Sequence, residues 1–284
     1  MENKLQGWKT NLLSMAGRVV IAQSVLSAIP AYMMQECMLL TRILNNLDKV
    51  SKNFVWGSME DHKKLHMVGW GKVTKPKCRG GLGIQEARGR NLTLAAKLCW
   101  RMENSKSGGW ANVLRKKYMT RHARKPKAHT RASNAVKIGS SICEKGSKWI
   151  VGCNSSLSFW NDKWLNIGTI KSLIEGPLNL GESEVCIGEV IMNTSWVLAN
   201  LSFVFPDHIL KVVRATPLRR YTMREDHRSW ISNLNGDFDS SNAYLLAINE
   251  NLETRDFMAS GFGSSKLCPR LKCFFGNVCI RAYQ

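Results

Sequence analysis

The sequence predicts an α+β protein that is predominantly α, with helices filling its first part and a small β-containing region after them. Three observations carry that expectation. Before Tyr118, apolar residues recur at three- and four-residue spacing, which places them on single helix faces. After Lys148 the pattern becomes short Trp- and Phe-rich runs bounded by Gly, Asn and Ser, the texture of brief strands and turns. The charge changes at the same place: residues 1–150 hold 28 Lys and Arg against 8 Asp and Glu, whereas residues 151–284 hold 13 of each. The whole formal charge of +20 therefore belongs to the first half. A one-sided positive field of that size selects for polyanions, nucleic acid first.

In chain order, Ser14 is placed to cap a helix whose apolar residues fall at 12, 16, 19, 20 and 26, with Pro30 as its stop. A second helix fits Thr41 to Val55, with Ile43, Leu47, Val50 and Phe54 on one face. Residues 57–87 read as irregular or partly β, with a turn at Gly80-Gly81. A third helix fits Arg88 to Met102 through Leu92, Ala95 and Leu98, and a shorter one fits Trp110 to Tyr118. Between Glu103 and Glu144 there is no acid but there are ten Lys and Arg, which reads as a helix end running into a basic loop. Residues 149–152 and 157–160 read as two strands joined by a turn at 152–155. Residues 166–200 are rich in Gly, Ser and Asn with weak periodicity and yield no element, His208 to Ala215 suggests a short helix, and Phe238 to Asn249 enters another.

The chain is long enough for one large domain or two ordinary ones, and 44% hydrophobic residues can supply a core. Nine scattered cysteines, an odd count, fit reduced thiols in an intracellular compartment, nucleus or organelle included, better than a disulfide framework. The most apolar stretch, Leu12 to Met34, contains Arg18, Gln23 and Pro30 and is no membrane span. Catalytic and metal motifs are set aside in turn. Gly80-Gly81-Leu82-Gly83 lacks the Lys-Ser/Thr ending of a phosphate loop, so a structural turn is the expectation. His62 and His66 lack the glutamate of a zinc protease, and Cys268, Cys273 and Cys279 have no following histidine. Asp226, Asp237 and Asp239 flank a turn at Asn235-Gly236, where aspartate is ordinary. Trp56, Trp70 and Trp100 stand at apolar-periodic or turn-packing positions and are expected in the core rather than against bases.

The order of the remaining motifs carries a resemblance. Gly7-Trp8-Lys9, Ala16-Gly17-Arg18, Ile29-Pro30, Trp56-Gly57, His66, Trp70, Pro76-Lys77, Gly80-Gly81-Leu82-Gly83-Ile84, Asn91, Trp100-Arg101, Trp110 and Lys117-Tyr118 form one series. Trp149-Ile150, Gly152, Phe159-Trp160, Asp162 and Trp164-Leu165 follow, then Trp230, Gly236, Phe238, Ser241 and Ala243-Tyr244. This series resembles the C-terminal part of the polyprotein of plant LINE-type (non-LTR) retrotransposons, the reverse transcriptase and ribonuclease H proteins. The resemblance implies a helical thumb-like region over 1–120, a basic linker and Trp-rich β connector over 121–200, and over 201–284 the start of the zinc-binding domain, left incomplete.

It also implies what is missing. Polymerisation and RNA hydrolysis need carboxylates that hold two metal ions about 4 Å apart. The family's polymerase signature ends in paired aspartates, and this sequence contains no Asp-Asp pair. The expectation is therefore a non-catalytic remnant that needs no cofactor and binds RNA or DNA without sequence preference, and no membrane. Phosphate contacts are expected from Arg115, Lys116, Lys117, Arg121, Arg124, Lys125 and Lys127. Two alternatives stay open: part of a split RNA-directed DNA polymerase whose palm is another chain, or a pseudogene product without function.

Overall fold

The computed structural model describes residues 13–58, 64–104, 109–118, 130–152, 155–179, 181–192, 195–198, 201, 203, 205–218 and 225–256, with side chains left aside at 78 and 250–256. The described chain is mostly helical, with two small two-stranded sheets. It forms two compact units. The first comprises Met1–Leu98, Tyr118–Gly139 and Tyr244–Gln284, and the second Cys99–Lys117 and Ser140–Ala243.

The first unit opens with α1 (Met15–Ile21), where the Gly17 amide donates to the Ser14 hydroxyl at 3.2 Å as the sequence led one to expect. A wider turn, Ala22–Leu26, extends it, and α2 (Ala31–Glu36) begins right after Pro30. Then comes α3 (Thr41–Trp56), whose buried face differs from the expected one. Ile43 is 41% exposed and Leu44 only 3%, because Leu44 is the residue that meets Met34 and Ala87. A second cluster gathers Ala22, Leu26, Phe54, Val55, Val68, Val73 and Ile84.

Residues 64–86 hold no strand among the described residues. They form α4 (Trp70–Val73), a 3-10 turn at Lys77–Arg79, and a backbone clasp. Leu82 N donates to Val73 O (2.9 Å), Gly83 N to Lys75 O (3.2 Å), and the Gln23 amide ties Leu82 O to the extension of α1 (2.6 Å). Gly81 is required there, since a Cβ on it would lie 1.9 Å from the Lys75 carbonyl oxygen. The glycine cluster is thus a turn.

Four helices have residues in both units: α5 (Ala87–Asn104), α6 (Gly109–Tyr118), α7 (Arg131–Gly146) and α10 (Ser240–Asp256). The basic-loop reading did not anticipate α7. Its start is marked by Thr130 and Ser133, whose hydroxyls accept from each other's amides (3.1 and 2.9 Å). Ala135, Val136, Ile142 and Cys143 give it a buried face at helical spacing.

In the second unit β1 (Ser147–Ile150) pairs antiparallel with β4 (His227–Trp230), in register Ser147 to Trp230. The expected partner, residues 157–160, is not a strand. Phe159 and Trp160 are consecutive and both fully buried, which the alternating faces of a half-exposed strand do not allow. Ser158 N donates to the Asp162 carboxylate (2.8 Å) and turns the chain there. Around them pack α8 (Ile170–Leu173), the short pair β2 (Ile191–Met192) and β3 (Ser195–Trp196), and α9 (Asp207–Ala215). The core is aromatic: Trp160 stacks on Phe205 and Trp164 on Trp196, with ring centroids 5.5 and 5.0 Å apart. Gly146 leaves room for Trp230, since a Cβ there would meet the indole at 2.4 Å.

Candidate nucleic-acid interface

Helix α6 carries the described part of the expected phosphate-binding run. Its last turn is Arg115, Lys116, Lys117, an arrangement that favours the negative end of the helix dipole. Lys116 and Lys117 are exposed. Arg115 is half-buried and engaged: Nε and Nη2 donate to the Met102 carbonyl (3.1 and 2.6 Å) and Nη1 to Asn112 Oδ1 (3.0 Å). It secures α6 against the last turns of α5, which reduces the donors it can offer a phosphate. Arg121, Arg124, Lys125 and Lys127 lie outside the described residues.

The tryptophans divide by burial. Trp100 is buried in edge contact with Trp230 (5.5 Å, 84°), so it offers no face to a base. Trp56 and Trp70 are half-buried against the Val55–Val73 cluster, and Trp56 stacks on His66 at 6.0 Å. Trp110 is the exception, 41% exposed, with the Arg101 guanidinium carbon 5.1 Å from its ring centroid. Sequence reasoning singled out neither Trp110 nor Arg101 as functional.

A second set of cations also escaped it. Lys72, Lys75, Lys77 and Arg79 are all exposed on the clasp. The signal was present, because residues 62–85 contain six Lys and Arg and no Asp or Glu.

The buried ionisable groups of the second unit serve structure. Arg228 Nη1 lies 3.0 Å from Glu103 Oε2, and its guanidinium covers Trp149 at 5.0 Å. Burial pushes the Cys99 thiol up to about 12 and the Cys143 thiol up as well, so neither is a nucleophile in the folded state. Lys163 donates to the Glu144 and Lys145 carbonyls (3.2 and 2.8 Å) at the end of α7, and burial lowers its pKa. An open hollow of about 570 Å³ beside Asn233 and Phe238 contains one carboxylate, Asp239. That carboxylate is occupied by Ser232 Oγ (3.0 Å) and the Ser241 and Asn242 amides (2.9 and 3.2 Å) at the start of α10. Among the described residues no three His, Cys, Asp or Glu are grouped to hold a metal ion, and no helix is long and apolar enough to cross a membrane.

These elements define a basic, mostly helical protein of two units, with Lys72, Lys75, Lys77, Arg79, Lys116 and Lys117 exposed among its described residues. The chain is homologous to the Arabidopsis thaliana protein named "Putative ribonuclease H protein At1g65750", 32% identical over 276 residues. That match takes in 92% of this chain and 43% of the relative, so the chain spans less than half of that protein's length. It is also 28% identical over 144 residues to "Uncharacterized mitochondrial protein AtMg00310" of the same plant, which covers 49% of this chain and 93% of that one. No family model matches the chain, and no solved structure matches it significantly.

Proposed function

We propose that the chain is a non-catalytic part of a plant LINE-type retroelement reverse transcriptase and that it grips RNA or DNA through phosphate contacts. One observation carries the reading: the acid-free interval 104–143 lies in the half that holds the whole +20, and its described lysines on α6 are exposed. Homology to a protein named for ribonuclease H supports a nucleic-acid partner. The absence of an Asp-Asp pair supports a binding rather than a polymerising role. The second reading, a split polymerase with its palm on another chain, draws on the relative's greater length.

Lys and Arg release condensed counterions when they neutralise phosphates, with a log–log salt slope of roughly 0.7–0.9 per contact. Replacing Lys116, Lys117, Arg121, Arg124, Lys125 and Lys127 with Gln, while keeping Arg115 for its contacts with Met102 and Asn112, should flatten the slope by about four to five units. Filter binding between about 50 and 200 mM salt reads this out. A slope identical to the parent's refutes the run as a grip. The parent protein should neither extend a primer nor cleave an RNA–DNA hybrid with Mg²⁺ or Mn²⁺. Activity that survives stringent purification would favour the polymerase reading.

A further inference from the structure

The outer face of α6 carries more than charge. Trp110, Val113 and Lys117 recur at helical spacing on one side, with Val113 64% exposed, whereas Ala111 and Tyr118 on the other side are buried. From Trp110 to Lys117 the helix rises about 10 Å, so the ring and the lysines fall within reach of one short stretch of polynucleotide. Tryptophan and valine left in water at the same helix face cost hydration free energy unless something covers them. The surrounding cations decide what that is. A basic helix end attracts a polyanion and repels a basic surface, and Arg101 over the indole adds a planar cation beside the ring.

We propose that Trp110, with Arg101 over its ring and Val113 beside it, is a stacking platform for an unpaired base, so that this chain takes single-stranded nucleic acid in preference to duplex. The proposal rests on the phosphate-gripping reading of the same helix and adds the class of substrate. Phosphate contacts alone attract duplex at least as strongly, because duplex carries the denser line of charge. An exposed ring reverses that order. Bases in a duplex are already stacked on one another, whereas an unpaired base presents a π-face that an aromatic side chain can cover whatever its identity.

The test uses the full chain with a short single-stranded RNA, the single-stranded DNA of the same sequence, and its duplex, compared at each of several matched salt concentrations between about 50 and 200 mM. Trp110→Ala should weaken single-strand binding about five- to hundredfold, change duplex binding by less than about twofold, and leave the salt slope intact. Trp110→Phe should keep most of the single-strand affinity. Equal loss on single strand and duplex, or no loss on either, overturns the platform. Oxidative footprinting of the parent does not depend on how a variant folds. Trp110 should be protected by bound single strand and not by an equal occupancy of duplex. Equal protection by both, or protection by self-association without nucleic acid, assigns this face to something else and overturns the proposal. The two readings fail separately. If the six-cation variant keeps its slope while Trp110→Ala loses single strands, the run falls and the platform stands. If the parent binds no nucleic acid, both fall.

Discussion

Asn91 gives the sharpest test of how the first unit is held together. It is fully buried in α5, and its side chain serves three backbone groups of the connection from α2 to α3. Oδ1 accepts from Leu39 N (2.9 Å), and Nδ2 donates to the Met34 and Cys37 carbonyls (both 3.1 Å). An amide side chain has two donors and two acceptor positions, so three of four are used. The carbonyls at the end of α2 have no helical partner, and Asn91 supplies one. Asn91→Ala removes all three bonds. At a net 0.5–1.5 kcal/mol each, the loss is roughly 2–4 kcal/mol. For a unit of this size that lowers Tm by about 5–15 °C. Asn91→Leu refills the volume without the polar atoms and should be no better, because the three backbone groups stay buried and unpaired. Asn91→Asp keeps the acceptor for Leu39 but faces two carbonyl oxygens with a carboxylate, so at neutral pH it should be at least as unstable as the alanine variant. Urea unfolding gives the overall loss, and exchange of the Leu39 amide proton gives a local probe. A variant Asn91→Ala within about 0.5 kcal/mol of the parent, with Leu39 still protected, would refute this account of the bracket.

Two further outcomes follow from buried titratable groups. The Tyr244 hydroxyl accepts from Glu86 N (2.9 Å), and burial, with the Glu86 and Asp48 charges adding to it, pushes it up to about 12. Its folded pKa lies above the unfolded value near 10, so its contribution is complete below pH 10 and is lost as pH rises toward 12. Tyr244→Phe should cost about 1–2 kcal/mol at pH 8 and show a shallower decline above pH 10 in urea midpoints; a decline parallel to the parent's would sink the assignment. Among the cysteines with described side chains, Cys37 and Cys186 are half-exposed while Cys99 and Cys143 are buried with raised pKa. Iodoacetamide on the native protein at pH 8 should therefore label Cys37 and Cys186 and reach the other two only in denaturant, as peptide mass mapping can check.

Helices that bury one stripe were legible in the sequence: α3, α5, α6 and α9 stand within a residue or two of where spacing put them, and α1 starts at its expected Ser14 cap but ends at Ile21, short of the expected stop at Pro30. What the pattern hid has physical causes. In α3 the first turn offers both Ile43 and Leu44, and only tertiary contact with Met34 and Ala87 selects between them. Helix α7 was obscured because its cap partner at the third position is Ser133 rather than a glutamate, and because ten cations drew the interval toward a loop reading. The partner of β1 lies almost eighty residues away in β4, a pairing that local alternation cannot encode, whereas Phe159-Trp160 looked strand-like for its composition alone.

The candidate interface was legible as charge and not as geometry, and that difference governs how its tests are read. Counting cations put Arg115 beside Lys116 and Lys117, but the Met102 carbonyl thirteen residues back holds Arg115 to the protein, which a count cannot register. Trp110 and Val113 at helical spacing would ordinarily mark a buried face, and only the structure shows them exposed. The clasp shows the opposite case. Lys72, Lys75, Lys77 and Arg79 are set on backbone closed by hydrogen bonds from Gln23, Leu82 and Gly83 and by a further one from Gly81 N to Pro76 O (3.2 Å), so their anchor points are fixed. Counterion release depends on how many phosphates are neutralised and not on how rigidly the cations are mounted. The first half carries 28 Lys and Arg, of which the run after Asn112 supplies seven. Removing six of those seven should therefore leave a residual slope, and that residue does not count against the run. The decisive quantity is the fall in slope relative to an equal number of cations removed from the charge-balanced second half: a matching fall there means diffuse attraction, and a much smaller one means that the chain grips with the basic run from Lys116 to Lys127.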